Sequence, residues 1–198
     1  MPKPMRADAR RNYDRLLEVA AVAFAERGAD ASLDDIAKRA GVGSGTLYRH
    51  FPSRRDLLEA VYLESIDELT DRALEFIASE RPAGDLLAEW LQLLAEQMIR
   101  LSGLKTLLGE AMTDGTSPVI SVCSGRLKDA ASDLLAAAQK AGAVRADLEP
   151  TELLRLTHAV ATATELGAGT PQQIGRYLTL IQEGVNAPGV IRSVTLTG

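Results

Sequence analysis

Cysteine is nearly missing from this chain: Cys123 is the only one in 198 residues. A single thiol excludes an internal disulfide. With His50 and His158 as the only histidines, no Cys/His cluster has metal-ligand spacing. Aromatic residues make up only 4% of the chain, and no run alternates apolar and polar side chains long enough to argue for a sheet. No apolar run approaches a membrane span. The basic start leads into an apolar stretch that carries Glu18 and continues as a helical pattern, so no secretory signal is expected and a cytoplasmic location is. Catalytic pairings are missing too. There is no nucleophile–base pair or phosphate loop, and Asp34 and Asp35 splay apart on a helix. Neither a cofactor nor an enzymatic activity is expected.

What is abundant is Ala and Leu within a 46% hydrophobic content, which favours helices throughout and suffices for a sizeable core. The net charge of −5 is unevenly placed. Residues 1–58 hold 11 Lys/Arg against 8 Asp/Glu, and residues 59–198 hold 11 against 19. A basic head and an acidic body suit contact with phosphate at one end only.

The head is read from residues 32–51. Leu33, Ile36, Ala37 and Ala40 share one face of a short helix, which Ser32 caps and Asp35 supports as a weak capping box. Gly41 stands where that helix must turn in the left-handed conformation. A second helix then runs from Gly43 or Ser44 to Phe51. Leu47 and Phe51 point one way; Gly45, Thr46, Tyr48 and Arg49 point the other. Two turns that bury two side chains and display Gly, Thr, Tyr and Arg read as a helix-turn-helix, with 43–51 as the recognition helix. Ser44, Gly45, Thr46, Tyr48 and Arg49 are the candidate groove contacts. Gly45 permits close backbone approach, Thr46 and Tyr48 donate to phosphate or touch a thymine methyl, and Arg49 forks onto a guanine or holds a phosphate.

Around this pair, the spacing predicts a first helix over about 7–27, with Tyr13, Leu16, Leu17, Ala20, Ala23 and Phe24 as its stripe and Arg6, Arg10, Arg11 and Arg15 crowding its start. Residues 1–9 offer nothing to bury. Pro52 breaks the chain, and Ser53 with Asp56 forms a capping box for a long helix over about 53–79, where Arg54 and Arg55 stand at a phosphate-attracting N-terminus. Further helices are expected over about 85–101, 103–112, 118–141, 150–166 and 171–185, with a loop at 114–118 and a frayed tail after Asn186. The expected division is a helix-turn-helix domain, 1–52, followed by a helical body, 53–198.

The run Ala-Gly-Val-Gly-Ser-Gly-Thr-Leu-Tyr-Arg-His-Phe-Pro-Ser-Arg-Arg-Asp-Leu-Leu (40–58), preceded by Ala-Phe-Ala-Glu-Arg-Gly (23–28), resembles the DNA-binding domain of TetR-family transcriptional regulators. The resemblance covers residues 10–60 and offers only a fold expectation beyond residue 65. It implies an all-α chain: a three-helix DNA-binding domain, then a ligand-binding and dimerisation domain. Residue by residue, it implies that Ser44, Gly45 and Thr46 lie near bases. Tyr48, His50 and Arg54 then lie at phosphates, Arg54 standing where most members carry Lys. It implies a homodimer, paired through terminal helices, on double-stranded DNA with a palindromic operator, and a small-molecule effector held among the body helices. The large or polarisable residues Trp90, Met98, Met112, Cys123, His158 and Thr162 are the candidate ligand contacts, each also explained by core packing.

The leading expectation is therefore a repressor released by a small, mostly apolar ligand. A DNA-binding module recruiting a protein partner is the alternative, and a helical enzyme with an accessory head is a third reading.

Overall fold

The computed structural model describes the backbone of residues 7–110, 118–167 and 169–186, with side chains in those ranges except at 7–8, 29, 101–110, 118–121, 171 and 182–186. Among the described residues there is no strand. The helices are α1 (Ala7–Arg27), α2 (Leu33–Arg39), α3 (Ser44–His50), α4 (Arg54–Ile77), α5 (Ala83–Glu110), α6 (Pro118–Lys140), α7 (Pro150–Leu166) and α8 (Pro171–Asn186), with a 3-10 turn at Gly28–Asp30. Residues 1–6, Met112, most of the loop expected at 114–118 and the tail after Asn186 lie outside the described residues.

The local signals expected to bound these helices are present. The Ser32 hydroxyl accepts the Asp35 N–H at 3.4 Å. At the end of α2, Val42 N–H donates to Ala37 O at 3.0 Å and Gly41 N–H to Lys38 O at 3.1 Å. This paired closure needs a left-handed residue, and Gly41 supplies it with φ of 72°. At the start of α4 the capping box forms in both directions: Ser53 N–H donates to the Asp56 carboxylate at 2.8 Å, and Asp56 N–H to the Ser53 hydroxyl at 3.2 Å.

One expectation is corrected. Residues 85–101 and 103–112 were expected as two helices, but α5 is continuous from Ala83 to Glu110. Ser102 and Gly103 each lower helix propensity by about 1 kcal/mol at most, and no proline intervenes between Pro82 and Pro118.

The chain divides into two compact units. One unit comprises residues 1–72 and 97–129, the other 73–96 and 130–198. Helices α4, α5 and α6 each have residues in both units. The first unit has a core of Leu16, Leu17, Ala20, Phe24, Ile36, Leu47, Phe51, Leu57, Leu58, Val61, Tyr62, Ile66 and Cys123. In the second unit α7 packs on α8. Leu153, Thr157, Val160, Ala161 and Thr164 of α7 are buried, as are Ile174 and Leu178 of α8.

Candidate nucleic-acid interface

The recognition helix α3 has seven residues, too few to be stable alone, and is held by what it buries. Leu47 is fully buried and Phe51 nearly so, in the core shared with α1, α2 and α4. Burying Leu47 is worth roughly 1.5–3 kcal/mol. A ring cluster fixes the far end of α3: Tyr13 lies 5.2 Å from Phe51 and meets His50 edge-on at 5.8 Å, centroid to centroid. Burial raises the Tyr13 hydroxyl pKa, with Glu64 and Asp14 adding and Arg10 opposing.

The other side of α3 is open. Ser44, Gly45, Tyr48 and Arg49 are exposed, and Thr46 and His50 are half-buried. A Cβ built on Gly45 would meet nothing within 4 Å, so the protein's own packing does not require glycine there. Arg49 lies back along its helix, Nε donating to Gly45 O at 3.1 Å. Two arginines near the motif are engaged with carboxylates: Arg27 with Asp35 at 3.4 Å and Arg39 with Glu26 at 3.0 Å. Lys38 and Arg49 are exposed cations flanking the turn and recognition helix.

Arg54 takes a position that sequence reasoning did not foresee. Its guanidinium donates to Ala31 O at 2.6 Å and to Gly28 O at 2.9 Å, and stands 5.1 Å from the Phe24 ring centroid. The side chain expected at a phosphate thus ties the start of α4 to the chain leaving α1. Its neighbour Arg55 points elsewhere and pairs with Glu59 at 2.8 Å.

Two sequence profiles match this chain. The one described as bacterial regulatory proteins, tetR family, matches residues 16–61, and the one described as transcriptional regulator SbtR-like, C-terminal domain, matches residues 82–187. The chain belongs to the TetR family. An HTH-type transcriptional regulator of Staphylococcus aureus (strain USA300) is 44% identical to this TetR-family chain over 64 residues, 32% of the chain and 35% of the relative. The match thus spans about a third of the length of such curated relatives. Over the whole fold, a TetR transcriptional regulator from Streptomyces coelicolor superposes with a TM-score of 0.76 at 30% identity, covering 89% of this chain and 99% of that one. A TetR transcription regulatory protein from Mycobacterium vanbaalenii gives 0.66 at 33% identity, covering 93% and 100%.

The candidate ligand contacts of this TetR-family chain fall in both units, Met98 and Cys123 in the first and Trp90, His158 and Thr162 in the second. Trp90 is fully buried in α5 and Met98 half-buried. Cys123 is fully buried in the first unit, where burial raises its thiol pKa, Arg126 opposing and Asp67 adding. His158 and Thr162 are exposed on α7. Met112 lies outside the described residues. The second unit has a cavity of about 230 Å³ elsewhere, lined chiefly by Leu87, Leu91, Val144, Leu153, Leu156 and Leu178. None of the five described candidates lines it. Among the described residues its polar lining is sparse: the Thr157 hydroxyl already donates to Leu153 O at 2.9 Å, and Asp85 is the one charged residue. Among the described residues no helix is long and apolar enough to cross a membrane, and no group of three or more Asp, Glu, His or Cys is arranged to hold a metal ion.

Proposed function

We propose that this TetR-family protein is a homodimeric, sequence-specific DNA-binding repressor, released from a palindromic operator by a small, mostly apolar molecule. The observation that carries the reading is α3 itself, locked by Leu47 and Phe51 and offering an open face with a glycine its own packing does not need. In this reading the backbone at Gly45 approaches the duplex. Ser44, Thr46 and Arg49 read base edges, and Tyr48 and His50 hold phosphates. Arg54 acts as a positioning residue through its two carbonyls. No step in this function is catalytic, and the protein works in the cytoplasm beside its DNA.

One recognition helix spans only a few base pairs, so specificity calls for two half-sites and a two-fold protein. The second unit supports this. Leu156, Ala159, Ala163 and Leu166 are exposed at three- and four-residue spacing on α7, and Tyr177 and Leu180 are exposed on α8. Leu166 is 84% exposed, an apolar side chain that a partner protomer would cover.

The effector reading moves from the six residues named on sequence to the 230 Å³ cavity. That volume lies below the roughly 300–1,000 Å³ of sites for drug-sized ligands, so it suits a short apolar molecule. Leu156 lines the cavity and also belongs to the exposed α7 stripe, which links occupancy to the dimer face. A coupling of about 1–3 kcal/mol suffices to change operator occupancy several-fold or more.

The test is fluorescence anisotropy of a duplex selected from random DNA, titrated at a fixed salt concentration. The expected result is binding by two protomers per duplex, tighter than bulk DNA by roughly 10³-fold or more. Binding no tighter than bulk DNA contradicts the reading. A duplex bound tightly but released by no apolar compound favours a regulator working through a protein partner.

A further inference from the structure

His50 is the last residue of α3, at the end where a short helix frays. Its backbone is fixed by the residue that follows: Phe51 N–H donates to Leu47 O at 2.8 Å, and the Phe51 ring is nearly fully buried. What the backbone leaves open is the His50 side chain. On a half-buried position an imidazole can still choose among staggered χ1 wells and a broad χ2.

Neighbouring rings narrow that choice. The Phe51 ring lies 6.2 Å from the imidazole, centroid to centroid, tilted by 45°. Tyr13 reaches the imidazole from another helix, α1, and meets it at 5.8 Å with the ring planes at 67°. Both separations fall in the roughly 4.5–7 Å of favourable aromatic pairs. Tyr13 is itself held in place, 5.2 Å from Phe51 and inclined by 32°. The Tyr13 ring therefore links a buried anchor, Phe51, to the more open His50.

The Tyr13 hydroxyl has different neighbours from its ring. Burial raises its pKa most, the carboxylates of Glu64 and Asp14 raise it further, and Arg10 opposes. A phosphate approaching that hydroxyl meets those two like charges. What Tyr13 offers to DNA binding is thus its ring, acting on His50, and not its hydroxyl.

We propose that Tyr13 is a positioning residue for DNA binding, its ring holding the His50 imidazole in one rotamer before the duplex arrives. The role rests on the reading that His50 meets a phosphate. A side chain ordered in advance removes its immobilisation cost from binding, which is worth about two- to ten-fold in affinity for each side chain. Because the ring acts and the hydroxyl does not, phenylalanine at this position serves as well as tyrosine.

The experiment has one arm without DNA and one with it. In the first, NMR of the full-length protein with isotope-labelled histidine reads the His50 side-chain couplings; His158 is the only other histidine, so H158Q assigns the signals. The expected result is one χ1 rotamer for His50 in the native protein and in Y13F, and rotamer averaging in Y13L, its fold checked by circular dichroism. Averaging in the native protein, which needs no variant, would overturn the proposal. In the second arm a duplex selected by the native protein from a random pool is titrated with Y13L, Y13F, H50A and Y13L/H50A at one salt concentration. Y13L should weaken binding about two- to ten-fold for each protomer bound, Y13F should bind as the native protein does, and Y13L should cost nothing further in the H50A background. The same loss with and without His50 would overturn the proposal, because Tyr13 would then act on α3 as a whole. Unchanged affinity in Y13L, or Y13F as weak as Y13L, would overturn it too. In each of those cases the native protein still binds its duplex, so the DNA-binding reading stands. A pool from which no duplex is selected overturns that reading, and this role with it.

Discussion

Replacing Arg54 separates a residue that holds the DNA-binding unit together from one that touches DNA. Its guanidinium serves two carbonyls, Gly28 O and Ala31 O, with the Phe24 ring beneath it. A hydrogen bond to a charged group contributes about 1.5–3 kcal/mol and a cation–π contact about 0.5–1 kcal/mol. Arg54 is half-buried, so solvent screens part of that sum. Arg54→Met keeps an apolar stem over Phe24 and removes both donors, at an expected cost of about 2 kcal/mol. For a chain of this length that lowers Tm by roughly 4–8 °C. Arg54→Lys keeps the charge but not the fork, and should lose about half as much. The assay is thermal unfolding by circular dichroism, paired with DNA affinity measured across salt well below Tm. A side chain turned inward leaves the slope of log K against log salt unchanged. If Tm held steady while the magnitude of that slope fell by about 0.9, the loss of one phosphate contact, the positioning role would be refuted.

Other substitutions probe the remaining elements. Gly45→Ala should raise stability by up to about 1 kcal/mol, since the added methyl meets nothing in the protein, while weakening DNA binding at least ten-fold; melting and anisotropy on one sample check both. Leu166→Glu with Leu180→Glu, two exposed side chains of α7 and α8, should convert dimer to monomer at micromolar concentration in sedimentation velocity and abolish specific DNA binding together with it. Glu64→Gln should raise Tm at neutral pH. The folded-state pKa of Glu64 lies above its unfolded value, so its ionisation opposes folding once pH exceeds the unfolded pKa, and the variant's advantage should vanish as pH falls below that value.

Much of the fold was legible because its signals are local. Gly41 and the Ser53–Asp56 box fix chain direction within a few residues, and both act as their sequence context requires. The inward and outward sides of α3 follow from helical periodicity alone, which is why Leu47 and Phe51 could be separated from Tyr48 and Arg49. The fate of Arg54 was not legible. It depends on which of two adjacent arginines faces Gly28 across 26 residues of chain, and that is settled only when α1 and α4 pack. The ring cluster of Tyr13, His50 and Phe51 joins separate helices in the same way. The ligand candidates show a different difficulty. Trp90 and Cys123 are buried while His158 and Thr162 are exposed, and residue type alone does not tell a pocket wall from a packed interior.

The central claim is that the open face of α3 reads DNA sequence. Its most direct test is selection from a random duplex pool at about 0.15 M salt, run in parallel with the native protein and with Thr46→Ala and Arg49→Ala. The account predicts that the native protein enriches an inverted repeat. Each variant should relax or alter preference at particular, symmetry-related base pairs, by roughly 1–3 kcal/mol per position. An unenriched pool, or a repeat whose preferred bases are the same for all three proteins, would contradict it.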